Sequence, residues 1–476
     1  MSKNHVKNWL QVACAILLCT TWPTVAEPIN PQNVNQQTND GSTALLRATV
    51  ANDINKVKQL LSQGAEANIN NRYAISPLYV AALNGNAHIA KLLIDAGANT
   101  SHKIAGNETI LMRAARTGHG DLVKLLIDQQ VDIHLVDSRN QNALMWAAAE
   151  GHLEVVNILI TAGADINAKA QGEFHALAFA ARQGHMAVVK AIVEAGFDVN
   201  TPMYHDRRGR RFAKSGSSAL ILAIENGHFE LAEYLLTKGA DASDLRSGFS
   251  PLHTMVEVRK PDIGDNSDFP PKGSGKLTSL EFIEVLIQYG AKVNLQLTKK
   301  FNAFGARVNL EGATPLFMAA KTADIPFINI LLKHGADPLL TNINNVTPLM
   351  MAAGLGTAAA DEEAGTEQEA IQLINLLVSL GADVNAVSLT GETAMHGAAY
   401  KNFPLVIKHL DQLGANIELW NKKNKKGWTA MLIAQGFRPG NYKPSEKTEQ
   451  AFKEVMLAKG LTPPKAPSRT QKKVYL

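Results

Sequence analysis

The sequence predicts an all-α repeat protein, a solenoid of stacked helix-turn-helix units, and three observations predict it. A short phrase recurs: GAEAN at Gly64, GANTS at Gly97, QVDIH at Gln130, GADIN at Gly163 and GFDVN at Gly196, each 33 residues after the last. Between the phrases lie two short apolar runs with the three- and four-residue spacing of helices. Neither run can bury its apolar face alone, so each unit must stack on a neighbour.

The phrase continues at Gly239, Gly290, Gly335, Gly381, Gly414 and Gly460, with steps of 43, 51, 45, 46, 33 and 46. That gives about eleven units over residues 41–461, several of them enlarged. Ahead of them, residues 1–26 read as a secretory signal, with Lys3 and Lys7 before the apolar run Trp9 to Cys19 and a small residue, Ala26, at the expected cleavage point. The run is too short to span a bilayer, so no transmembrane segment is expected after cleavage. Residues 27–40 are polar and are expected to be a flexible lead-in; residues 462–476, with three prolines and several lysines, are expected to be a disordered basic tail.

Both cysteines, Cys14 and Cys19, fall within the signal. Disulfides, thiol catalysis and cysteine metal sites are thereby excluded from the mature chain. The signal holds two of the 47 basic residues and no acid, leaving 45 against 43 acids, so attraction to an anion must come from local patches. Nucleic acid is not an expected partner for so balanced a charge.

One unit shows the local physics. In NALMWAAAEGHLEVVNILITAGADIN, residues 142–167, Asn142 can cap a first helix whose slim apolar face is Leu144, Ala147 and Ala148. Gly151 turns the chain, and Leu153, Val156, Leu159 and Ile160 supply the face of a second helix ending at Gly163. Four units open on a capping hydroxyl before proline: Ser76-Pro77, Ser250-Pro251, Thr314-Pro315 and Thr347-Pro348.

SPLH at 250–253, TPLF at 314–317, GHLEVV at 151–156 and GADVNA at 381–386 resemble the ankyrin repeat. The resemblance implies two antiparallel helices followed by a projecting β-hairpin finger, and binding through the finger tips and the inner-helix face. Gln130, in place of a loop glycine, and the last unit depart most from the pattern.

His119, His152, His185 and His228 recur after glycine. Stacked helices lie about 8–10 Å apart and zinc–nitrogen bonds are about 2.0–2.1 Å, so the row is read as structural, each ring bonding to local backbone, with no metal. GSGK at 273–276 lacks the first glycine and the final Ser or Thr of a phosphate-binding loop, and is read as a plain loop. Trp146 and Phe179 share a column with Val80, Leu222, Met318 and Met351, and are read as core. With no catalytic constellation, no enzyme and no cofactor is expected.

The enlargements fall in two kinds of place. Those near 204–217 and 297–311 lengthen fingers; those near 259–277 and 355–367 lengthen the stretch between two helices. The first finger holds Arg207, Arg208, Arg210, Arg211 and Phe212, and the second Lys299, Lys300, Phe301 and Phe304. A slightly longer finger carries Lys422, Lys423, Lys425 and Lys426, while the stretch near 355–367 is followed by Glu367 and Glu369 and contains Asp361, Glu362 and Glu363. Positions matching the family's inner face are Arg116, Arg182, Lys321, Tyr400 and Lys401. The named residues of the two enlarged fingers together with these inner positions are the expected partner-binding set, suited to an acidic surface. The expected protein is an exported, non-catalytic protein-interaction scaffold of the bacterial envelope, in the periplasm or, as the alternative, secreted. Competing readings are binding of an anionic envelope polymer and action as a secreted effector on another cell.

Overall fold

The computed structural model describes residues 33–204, 214–261, 270–299, 308–357, 359–360, 364–437 and 444–465. The expected signal segment and the basic tail from 466 onward lie outside the described residues, as do the finger residues 205–213 and 300–307. The chain falls into two compact units that divide between Phe197 and Asp198.

In the first unit, five helix pairs follow one another: Ala44–Val50 with Ile54–Ser62, Pro77–Asn84 with Ala87–Asp95, Ile110–Thr117 with Gly120–Asp128, Ala143–Glu150 with Leu153–Thr161, and Ala176–Gln183 with Met186–Glu194. The second unit holds six: Ala219–Glu225 with Phe229–Thr237, Pro251–Arg259 with Ser279–Gln288, Pro315–Lys321 with Ile325–Lys333, Pro348–Ala352 with Glu367–Ser379, Ala394–Lys401 with Pro404–Gln412, and Ala430–Ala434 with Glu446–Ala458. The openers act as caps: the side chains of Ser76, Thr109, Asn142, Ser250, Thr314 and Thr347 each accept from the N–H three residues on.

First helices bury paired alanines, Ala114-Ala115, Ala147-Ala148, Ala180-Ala181 and Ala319-Ala320, which let successive units approach closely. Second helices bury a triad at positions i, i+1 and i+4, such as Val155, Val156 and Leu159, or Phe327, Ile328 and Leu331. This shifts the expected face by part of a turn, since Leu153 is exposed and Ile160 only half-buried. The buried stripe is narrow because these helices pack only toward neighbours on one side, so apolar residues flanking the triad face water.

Side chains from one unit's loop fix the register of the next. Asn68 donates to the Gly97 carbonyl (2.8 Å) while its Oδ1 accepts from the Asn99 N–H (2.7 Å). Asn200 does the same to Gly239 and Asp241, Asn294 to Gly335 and Asp337, and Asn385 to Gly414 and Asn416. Asn35, within the segment expected as a lead-in, repeats the pattern on Glu66 and Gly64. Asn35 therefore ties the end of this segment to the first unit.

In the histidine row, His152 and His185 reach the preceding unit, not local backbone, while His228 Nδ1 meets Ser274 of the loop that follows. Nε2 of His152 meets the Arg116 carbonyl at 3.0 Å, and that of His185 meets the Ala149 carbonyl at 3.2 Å. The rings of His119, His152 and His185 lie on the previous turn glycines; a Cβ on Gly118, whose φ is +82°, would stand 2.5 Å from His152 Nδ1. Among the described residues no group of His, Cys, Asp or Glu is arranged to hold a metal ion.

Fingers are closed mainly by side chains. Asn342 Oδ1 accepts from the Asn344 and Val346 N–H groups, and Asp137 Oδ1 from those of Arg139 and Gln141. Only isolated antiparallel pairings occur among the described residues, Lys103 with Thr109 and Met203 with Ser217, so the fingers are turns with minimal strand character. Both enlarged fingers close at the base alike: Met203 N–H donates to Ser217 and Leu297 N–H to Ala313, with Gly216 and Gly312 returning the bond.

The lengthened inter-helix stretches replace missing turn contacts. In GSGK, the Lys276 N–H donates to Glu230 Oε1 (2.6 Å) and Ser274 Oγ meets His228 Nδ1 (2.9 Å), so this loop grips the unit before it. The turn at Lys321-Thr322-Ala323-Asp324 lacks the usual Gly-His. Three cations converge there instead: Arg259 on the Asp324 carboxylate (2.6 and 2.9 Å), Lys260 on the Thr322 and Ala323 carbonyls, and Lys401 on the Lys321 and Ala364 carbonyls.

Because Asp324 is only 2% exposed, Arg259→Ala strands a buried carboxylate. We expect a loss of about 3–5 kcal/mol, measured by urea unfolding.

Two buried imidazoles give the second unit a pH dependence. Burial, opposed by the bond to the Ala313 carbonyl, lowers His253 to about 3, and burial lowers His396 to about 4. Each folded value lies below the ordinary 6.5, so the support these rings give is complete above pH 6.5 and is lost as pH falls toward 4. Thermal midpoints should drop between pH 7 and 4.5. The drop should be smaller in the His253→Gln, His396→Gln double variant; an equal drop would assign it to other groups.

Candidate functional site

In the first unit the inner face is built by the last turns of the first helices. Arg113, Trp146 and Phe179 hold one position, five residues before the turn glycines Gly118, Gly151 and Gly184. Arg116 and Arg182 hold another, two residues before Gly118 and Gly184.

Arg116 links two units. Its guanidinium lies 4.5 Å from the centre of the Trp146 ring, and its Nε is 3.4 Å from Glu150 Oε1. Trp146 and Phe179 are half-buried, so this column is not the closed core the sequence suggests. Arg182 is exposed at the equivalent place. The result is a surface of alternating cation and aromatic face, suited to carboxylates and flat apolar groups.

Beneath it lies a charge that sequence reasoning missed. Arg113 is buried, donates to Glu108 Oε2 at 2.9 Å and sits 5.1 Å from the Tyr79 ring centre. Burial pushes the Glu108 carboxyl up, against the pull of Arg113 and Arg116, and burial also pushes the Tyr79 phenol up. The available signal was a cation in an otherwise apolar column.

The second unit treats the expected residues differently. Tyr400 and Lys401 are buried and offer no inner surface, a correction to the sequence reading. The backbone after Pro348–Ala352 passes over Lys401, whose Nζ donates to the Ala364 carbonyl at 2.7 Å, while the Tyr400 hydroxyl donates to Glu392. Lys321 is half-buried at the turn where these bonds converge. The acidic stretch is also structural where it is described. Glu367 accepts from the Leu405 and Val406 N–H groups, and Glu369 from Thr366 and Lys260.

On the enlarged fingers, Arg207, Arg208, Arg210, Arg211, Phe212, Lys300, Phe301 and Phe304 lie outside the described residues. Their stems are in place. Tyr204 is exposed, Lys214 pairs with Glu257 at 3.0 Å and lies 4.0 Å from the Phe249 ring centre, and Lys299 is exposed with Nζ 3.3 Å from the Arg246 carbonyl.

Helix pairs that bury one face and present fingers and inner turns define a repeat protein of the kind that generally mediates protein–protein interaction. The family model described as ankyrin repeats in three copies matches residues 12–104, 78–170, 111–203 and 177–263, and the single ankyrin-repeat model matches 311–343. These matches cover more than half of the chain, and the protein belongs to the ankyrin-repeat family.

Among curated relatives, the mouse B-cell lymphoma 3 protein homolog is 32% identical over 139 residues, 29% of this chain and 24% of that protein. Phosphocholine transferase AnkX of Legionella pneumophila is 24% identical over 241 residues, 44% of this chain and 24% of that protein. The chain thus spans about a quarter of the length of each. The solved human ASB11 ankyrin repeat domain is similar over 56% of this chain and all of that one, with 20% identity and a TM-score of 0.43. Among the described residues, no helix is long and apolar enough to cross a membrane.

Arg116→Ala should uncover the Trp146 ring and leave Glu150 without its cation. We expect a loss of about 1 kcal/mol in thermal or urea unfolding and a red shift in tryptophan emission; an unchanged spectrum would show that the stacking is not kept in solution.

Proposed function

We propose that the protein is an exported, non-catalytic interaction scaffold that binds an acidic partner surface through its basic fingers, with the Arg116–Trp146–Arg182 inner face as a further contact. The observation that carries this reading is the common construction of the two enlarged fingers. Each is closed by the same backbone pair, at Met203 and Ser217 or at Leu297 and Ala313, and the sequence between each pair is basic and aromatic. Arginine supports such recognition because its planar fork meets carboxylates in pairs of hydrogen bonds. Export rests on the signal-like residues 1–26.

The test is a pull-down from periplasmic extract with the wild-type chain and with Arg207, Arg208, Arg210 and Arg211 all changed to serine. Binding of the captured protein should weaken about tenfold, or roughly 1–2 kcal/mol, and lose most of its salt dependence. Equal affinity of both forms at low and high salt would exclude the finger. Capture of purified lipopolysaccharide with no protein partner would replace the reading by polymer binding.

A further inference from the structure

The finger edge of the second unit carries four large aliphatic side chains in solvent. Leu339 is 47% exposed and Ile343 48% on one finger; Val387 is 43% and Leu389 52% on the next. Residues 339–346 and 386–391 contain no charged side chain. The finger after them exposes Lys422, Lys423, Lys425 and Lys426.

These three fingers are locked in series. The Ile343 N–H donates to the Glu311 carbonyl (3.0 Å), the Leu389 N–H to the Asn344 carbonyl (2.8 Å) and the Lys425 N–H to the Thr390 carbonyl (2.9 Å). Ile343, Leu389 and Lys425 therefore occupy one position on successive fingers, and the edge reads apolar, apolar, basic. In the first unit the donors at that position are Arg72, Ser138 and Gln171. Finger closure does not require the aliphatic groups, because Asn342 and Ser388 side-chain oxygens and buried Val346 do that work. Half-exposed aliphatic side chains gathered on two neighbouring fingers, with no part in closing them, point to an interaction site.

We propose that this edge binds an amphipathic helix of a partner protein, with apolar residues over Ile343 and Leu389 and carboxylates over the lysine finger. The proposal shares with the scaffold reading only the need for a protein partner, and uses a surface separate from the arginine finger. On the lysine side, charge places an acidic segment of the occupant at Lys422–Lys426. Spacing fits a helix, since residues seven apart on one face are about 10.5 Å apart and stacked units about 8–10 Å. Strand addition is disfavoured because the edge N–H groups of residues 343, 389 and 425 are already bonded. A bilayer surface would call for interfacial aromatics, yet Trp420 and Trp428 beside this edge are buried.

The test pans a displayed library of helical peptides about three heptads long against the full chain. Enriched peptides should carry apolar residues seven apart followed by an acidic block. Ile343→Ser with Leu389→Ser should weaken them roughly tenfold at every salt concentration. Lys422, Lys423, Lys425 and Lys426 changed together to serine should weaken them similarly and flatten the salt dependence. Both variants alter exposed residues, and unchanged thermal midpoints confirm folding. If no such peptide is enriched, or if enriched peptides bind both variants normally, the edge is not the site, while the arginine-finger result stands on its own pull-down. Binding to phosphatidylglycerol–phosphatidylcholine vesicles that is lost in the same variants would make the edge a lipid surface and overturn the proposal.

Discussion

Every other feature depends on one constraint: a pair of short helices cannot bury its apolar face alone. A nine-residue second helix such as Leu153–Thr161 hides only Val155, Val156 and Leu159 completely, and these need the neighbouring pairs to cover them. Isolated helices of this length are marginal in water. Stacking alone leaves sliding between units undetermined, because small alanine faces are smooth. The asparagine that recurs four residues after the loop glycine removes that freedom by bonding both a carbonyl and an N–H of the next loop. The histidine on the preceding glycine does the same at the opposite edge.

Period, helix pairs and caps were legible because each follows from local chemistry. Asn142 caps where its position says it should. What the sequence hid was geometry between units. Leu153 and Ile160 satisfy helical spacing as well as Val155 does, and only the direction of the neighbouring pairs decides which set is buried. The partners of His152 and His185 lie 36 residues away, so local reading assigned them to nearby backbone.

The candidate site was legible by composition and less so by burial. Arg116 and Arg182 reach the surface near the ends of their helices, whereas Tyr400 and Lys401, at matching positions, are buried, Lys401 beneath the backbone that follows Pro348–Ala352. An insertion shifts what its neighbours can show to solvent, and alignment to a period cannot register that shift. The same insertion explains why the acids at 367 and 369 are not a free anionic patch. Each satisfies N–H groups at a helix start, where a carboxylate is favoured by the helix dipole.

Recognition and folding draw on different atoms of the same finger. Backbone groups and the oxygens of Asn342, Ser388 and Asn424 close the turns and join one finger to the next, leaving the side chains at 343, 389 and 425 without a part in closure. A change from polar to aliphatic at such a place costs little stability, since exposed substitutions away from packing commonly fall within about 0.5 kcal/mol. The inner face has no such freedom. Arg116 there contributes its carbonyl to His152, its charge to Glu150 and its flat surface to Trp146, so altering it for a partner alters the joint between two units. Fingers can therefore diverge in chemistry from unit to unit while the inner turns stay tied to the stack, which is the pattern of basic, apolar and lysine-rich fingers in this chain.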